Sequence, residues 1–294
     1  MRKTLWSPVI MGMLILIPNL ICYANGPGTT AANFLKIGVG ARAAAMGDAF
    51  TVIVDDSTSL YWNPAGLGRI EKRQLSATYN SWFAGINQGY LGVGFPLPGK
   101  GTVAGGVNYV DMGDFDGRDE AGNPTGTFTA SALNYQFGYA NRFREKFLWG
   151  ISAGIVQDTI ADDTKSTYAA NLGLIYKSSE SLSLGLVVQN LGGELGGDPL
   201  PFVAKIGMAY TWKSILLALD IASPADNDVY YGAGIEWWIM DGIALRAGYK
   251  TNQDIGEGLT AGVGFNKGKI RFDYAYVPYG ALGDTHKVLF GMSF

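Results

Sequence analysis

The chain is poor in the side chains from which most enzyme and metal sites are built. One cysteine and one histidine occur in 294 residues, so a thiol–imidazole pair, a Cys/His zinc site or a disulfide framework lacks raw material. Charge is scarce as well. Asp, Glu, Lys and Arg make up 16% of the chain, against about 25% in an ordinary soluble domain. A formal net charge of −3 offers no basic face, which excludes nucleic acid as a partner. Glycine does not recur every third residue, so collagen is out, and no Ser/Gln or Pro tract points to disorder. Beyond residue 72 neither a helical period nor a helix-length apolar run persists. No cofactor or metal is expected.

Glycine (42 residues) and aromatics (13%) are plentiful instead. That combination suits many short strands joined by turns. The N-terminus has a different character. Arg2 and Lys3 precede an apolar run, Leu5 to Leu20, interrupted by Pro8 and Pro18, and Cys22-Tyr23-Ala24 supplies a cut site after Ala24. The run is too short and too broken for a spanning helix and reads as a secretory signal over 1–24. Lipidation at Cys22 is disfavoured by the bulky Ile21 before it. Cleavage would remove the only thiol.

The body alternates with period two. Ile270, Phe272, Tyr274 and Tyr276 fall on one face, Arg271, Asp273 and Ala275 on the other. Segments of this kind lie near 74–82, 88–97, 101–112, 127–142, 147–158, 167–177, 182–191, 202–212, 214–222, 228–239, 243–251, 258–266, 269–278 and 285–294. The count is about fourteen, an even number, and the lengths are near the span of a tilted strand in a bilayer. Tight turns such as Pro98-Gly99-Lys100 and Asn266-Lys267-Gly268 alternate with longer polar loops, among them Gly113–Gly126, Thr159–Ser166 and Gly192–Pro201. Together these features predict an all-β, antiparallel transmembrane barrel over 73–294. Closure would pair every backbone group away from water. Trp82, Trp149, Trp212, Trp237, Tyr249 and Tyr276 sit near strand ends and suit interfacial girdles toward outer-membrane lipid.

On this pattern Gly92, Gly94, Gly232, Gly234, Gly262 and Gly264 point inward, either making room for an interior segment or bending the wall. The inward charged positions are Lys205, Asp220, Glu236, Arg246, Arg271 and Asp273. Their signs balance, as expected for lumenal ion pairs; a polar constriction on a solute path is the sharper alternative. The acidic stretch Asp111–Glu120 lacks the closing glutamate of a calcium loop and reads as a solvated loop. The lone His286, at the start of the last segment, has no identifiable Ser/Asp partner and argues against an enzyme.

Residues 25–72 precede the barrel. Small residues from Gly38 to Gly47 allow close packing, Asp55-Asp56-Ser57 could cap a short helix reaching Tyr61 or Trp62, and Asn63-Pro64 then turns the chain. The two stretches FLKIGVGARAAAMGDAF and DDSTSLYWNPAGLG closely resemble the N-terminal signature of the PorV/PorQ family, similar in turn to the FadL-type outer-membrane barrels. Asp48 stands where the family often has glycine. The resemblance implies fourteen strands, an N-terminal hatch, and gate residues among Phe34, Arg42, Met46, Phe50, Asp55, Asp56, Trp62, Asn63 and Pro64. It also implies that the terminal aromatic strand ending at Phe294 is read by the barrel-assembly machinery. Two roles follow from it. One is passage of hydrophobic or amphipathic solutes, the favoured expectation. The other is handling of secreted cargo in type IX secretion.

Overall fold

The computed structural model describes residues 26–252 and 256–294; the expected export signal and Cys22 lie outside them. The strands are β1 Gln74–Ser81, β2 Asn87–Leu97, β3 Gly101–Arg118, β4 Pro124–Phe143, β5 Phe147–Ile160, β6 Asp163–Lys177, β7 Leu182–Gly192, β8 Glu194–Leu195, β9 Asp198–Pro199, β10 Val203–Trp212, β11 Ile215–Pro224, β12 Tyr230–Met240, β13 Ile243–Lys250, β14 Leu259–Lys267, β15 Ile270–Pro278 and β16 Asp284–Ser293. All but β8 and β9 form one closed antiparallel barrel of fourteen strands, and those two make a small hairpin between β7 and β10. β1 closes on β16 in continuous register from Gln74↔Ser293 to Ser81↔His286. The barrel itself therefore has no edge strand to template aggregation.

Alternation sorts the side chains as the sequence implies. On β15, Asp273 and Ala275 are buried while Ile270 and Phe272 are exposed. The outer wall presents large apolar groups, among them Phe137 at 73%, Tyr168 at 69% and Ile155 at 52% exposure. A water-soluble protein does not keep so broad an apolar surface, so this belt faces lipid. At the end carrying the tight turns the belt is edged by paired rings, Tyr139 edge to face with Trp149 and Phe147 stacked on Tyr176. Tyrosines including Tyr79, Tyr231 and Tyr249 edge the other end. Trp82 departs from the girdle expectation: it packs on Phe83 and Tyr279 and lines the mouth of the lumen.

The loop pattern needs correction in two places. Gly113–Gly126 is mostly strand, since β3 and β4 continue as a long hairpin whose register resumes at Asp114↔Thr129 after a bulge. Its tip is the turn around Asp119, which accepts from Ala121 N at 2.9 Å, Asn123 N at 2.8 Å and Asn123 Nδ2 at 3.0 Å. The Asn123 donors hold the Asp119 carboxyl below the usual carboxylate range. Thr159–Ser166 is likewise not a loop: Thr159 pairs with Thr164 and Ile160 with Asp163, leaving Ala161-Asp162 as the turn, with Ala161 at φ 51°. Thr, Ser and Gly at these positions read as loop chemistry, but ladder pairing across the hairpin outweighs that local preference. Strands β3–β6 therefore rise above the rest of the rim on one side.

The N-terminal segment runs inside the ring of strands. It consists of 3-10 turns at Asn33–Lys36 and Pro64–Arg69 and short helices at Ala41–Ala45 and Ser59–Trp62. Asp56, not Asp55, supports the second helix, accepting from Thr58 N at 2.9 Å. Asn63 at φ −163° breaks that helix, and its Oδ1 accepts from Ala65 N at 3.1 Å to start the next turn. The chain enters at the loop end, where Ala31 N donates to Pro199 O at 2.9 Å, and leaves at the turn end to begin β1.

Candidate functional site

The interior segment is irregular, so its backbone polar groups need partners that a helix or sheet would otherwise supply. Side chains of the wall provide them. Gln88 Nε2 donates to Ile37 O at 3.0 Å, Ser152 Oγ and Asn171 Nδ2 to Leu60 O at 3.0 and 3.1 Å, and Gln189 Nε2 to Trp62 O at 3.1 Å. Asp220 does the converse: one carboxylate oxygen accepts from Phe50 N and Thr51 N, each at 2.8 Å. This is why polar residues alternate inward along strands whose other face meets lipid.

Glycine makes the fit possible. A Cβ at Gly248 would lie 2.1 Å from Gly47 N, at Gly232 2.6 Å from Gly47 O, and at Gly234 2.6 Å from Met46 O. On the opposite wall a Cβ at Gly150 would lie 2.3 Å from the Pro64 carbonyl carbon, and at Gly173 1.9 Å from Asn63 Oδ1. These inward glycines make room for the segment. Gly47 itself, at φ +61°, also needs the left-handed region.

Seven charged groups link wall to segment. Arg42 donates to both oxygens of Glu236, Nε at 2.7 Å and Nη2 at 2.8 Å, and Arg246 Nε donates to Glu236 Oε2 at 2.7 Å. Arg246 Nη1 reaches Asp273 Oδ1 at 2.7 Å, whose other oxygen accepts from Arg271 Nε at 2.6 Å. Arg271 Nη1 ends the ladder on Asp56 at 3.1 Å and Asp55 at 3.3 Å, and Asp55 accepts from Arg42 at 3.0 Å. The ladder is thus a closed circuit with alternating signs. Four of the six inward charges named from sequence belong to it, but they do not satisfy one another alone: Arg42, Asp55 and Asp56 complete it. Asp220 and Lys205 stand outside it.

The remaining sequence candidates form the core of the segment. Phe34 packs with Val110, Val156 and Leu195 beneath the long hairpin side. Met46, Phe50 and Trp62 share one buried cluster, with Phe50 and Trp62 edge to face at 5.7 Å. Trp62 Nε1 donates to Val39 O at 2.8 Å and Asn63 Nδ2 to Thr51 O at 2.8 Å. Phe294 is bound through its backbone, N to Arg73 O at 2.8 Å, with its ring half-exposed. His286 lies on the outer wall, its Nδ1 2.8 Å from Tyr274 Oη.

Above this core, at the loop end, lies a cavity of about 170 Å³ whose lining includes Leu35, Tyr61, Trp62, Gln136, Lys205 and Tyr230. Lys205, only 6% exposed, places Nζ 4.8 Å from the centroid of a Trp62 ring. Lys36 pairs with Asp226 beside it, and Lys250 Nζ with Asp48 at 2.8 Å. Below the core, at the turn end, a second cavity of about 280 Å³ touches Arg42, Val52, Asp55 and Thr211. Sequence reasoning missed Asp48, Gln88, Asn171, Gln189, Lys250 and Lys287. For Lys250 and Lys287 the signal was available, since both occupy the inward phase of strands read as alternating. The amides carried none that sets them apart from solvated polar residues.

No protein-family model and no curated protein matches the sequence. Solved structures do match in fold. The chain aligns with the Pseudomonas putida toluene transporter TodX at TM-score 0.66 and 14% identity, covering 86% of this chain and 96% of that one. It aligns with the CymD monoaromatic hydrocarbon channel at 0.67 and 14%, covering 88% and 98%, and with a Pseudomonas aeruginosa FadL homologue at 0.60 and 10%, covering 87% and 98%. The chain has the FadL-like fold of bacterial outer-membrane proteins: a closed fourteen-stranded antiparallel barrel with a short helical N-terminal segment.

Proposed function

We propose that this protein is an outer-membrane channel for hydrophobic or amphipathic solutes, with residues 25–72 as its hatch and residues 1–24 removed on export. The observation that carries this reading is the loop-end cavity, walled by aromatic and polar groups and seated on the Phe50–Trp62 core. A second cavity lies beyond that core at the turn end. A solute entering from outside would rest on Tyr61 and Trp62, and a rearrangement of the hatch would join the two spaces. Phe34, Met46, Phe50, Trp62, Asn63 and Pro64 are the proposed moving core, with Arg42, Asp55 and Asp56 as the proposed latch. TodX and CymD, which share the fold, are described as a toluene transporter and a monoaromatic hydrocarbon channel. The test is uptake of labelled hydrophobic and amphipathic compounds by cells with and without the gene. Uptake falls on deletion and returns with the wild-type gene; unchanged uptake across the panel contradicts the proposal.

The PorV-like secretion role is the second reading. It is favoured by the signature over residues 34–68 and by the closeness of the hatch–wall fit, which suits a filled barrel that presents its rim to a protein. Affinity capture of the tagged protein from native membranes decides it: recovery of cargo or secretion components supports this role, and their absence removes it.

A further inference from the structure

The strap Asn33–Ile37 crosses the mouth and leaves a cavity on either side. One is the 170 Å³ space over Trp62. The other, about 260 Å³, lies between Ala44, Gly47, Trp82, Val277, Tyr279 and Lys287. The two share Lys36, Asp48 and Lys250. The charges here balance in number, Lys36, Lys205, Lys250 and Lys287 against Asp48, Asp220, Asp226 and Asp228, but not in pairing. Asp226 is taken by Lys36, Asp48 by Lys250, and Asp220 by the Phe50 and Thr51 amides. Asp228 lies exposed at the rim. Lys205 and Lys287 remain, one in each cavity, and each is 6% exposed. Among the described residues neither has a carboxylate within ion-pair distance; Lys287 donates one hydrogen bond, to Gly38 O at 2.8 Å, and Lys205 meets only the face of Trp62.

An ammonium group buried this deeply with no carboxylate in direct contact is costly, and its three donors leave bonds to be made. A neutral hydrocarbon would leave that cost in place; an anion would remove it. Size narrows the class. A cavity near 150 Å³ holds a benzene ring, so the 170 Å³ space matches one ring with a small substituent. We propose that the solute is a small organic anion, a single-ring aromatic carboxylate. Its ring lies beside Trp62 and Tyr61 with its carboxylate on Lys205, and Lys287 forms a second anion site across the strap. This rests on the channel reading above.

Calorimetry on the purified full chain in detergent, titrated with benzoate and with benzyl alcohol, tests it. Two benzoates bind per chain, at least tenfold more tightly than benzyl alcohol. Lys205→Met and Lys287→Met each remove one of the two, while Lys205→Arg keeps it. Equal affinity for the neutral alcohol, or benzoate binding untouched by Lys205→Met in a correctly folded barrel, overturns the proposal. Flux from proteoliposomes separates the two readings. If both compounds cross equally and no lysine-dependent binding is seen, the anion proposal falls and the channel stands. If benzoate binds through the lysines but neither compound crosses, the anion sites stand and the channel reading falls.

Discussion

Glu236 is the residue on which the interior ion pairs converge, accepting from Arg42 on the hatch and Arg246 on the wall while itself 1% exposed. Removing its charge leaves two guanidinium groups with one carboxylate fewer. Glu236→Gln is expected to destabilise the protein by about 3 kcal/mol, the scale for breaking a buried pair, measured as a lower urea midpoint in lipid vesicles. Arg42→Met combined with Glu236→Leu should cost less than the two single changes summed, because the buried partners leave together. At this scale the sequence was readable wherever alternation gives direction. Glu236, Arg246, Arg271 and Asp273 were all placed inward on that basis. Which of them reach the N-terminal segment was not readable, since those partners lie some two hundred residues away, as Arg42 does from Glu236 and Asp56 from Arg271.

Among the elements, the wall glycines and the long hairpin act in opposite ways. Gly248 belongs to β13, yet what it accommodates is the Met46–Gly47 turn. Gly248→Val should leave the barrel folded, seen as heat-modifiable migration on a gel, but displace the hatch so that protease cuts within residues 40–60; a hatch that stays protected contradicts the packing described. The upper part of the β3–β4 hairpin, by contrast, lies beyond the closed ring. Replacing Gly113–Gly126 with a two-residue turn should change the urea midpoint little, because the register from Thr102↔Ala140 to Asp111↔Ser131 is retained. That hairpin and the β5–β6 turn were misread as loops because Gly, Ser, Thr and Asp carry turn chemistry, and cross-strand pairing is not visible in one strand at a time. The fourteen barrel strands were legible because lipid imposes one apolar face on every strand, a constraint that no single loop residue carries.

At the scale of the molecule, closure of the sheet and filling of the lumen are separate tasks met by separate parts of the chain. The wall pairs with itself around the full circle, β1 to β16, and needs the hatch for none of its ladder bonds. The N-terminal segment depends on the wall for many of its hydrogen bonds, for counter-charges such as Glu236 and Arg271, and for its space. The account's central claim is therefore that residues 26–72 occlude a barrel that would otherwise be open. Planar-bilayer conductance of the full chain, beside a variant that starts at Arg73 and shows heat-modifiable migration, tests it most directly. The account predicts little steady conductance from the full chain and stable, large open-channel steps from the shortened one; equal conductance from the two would contradict it.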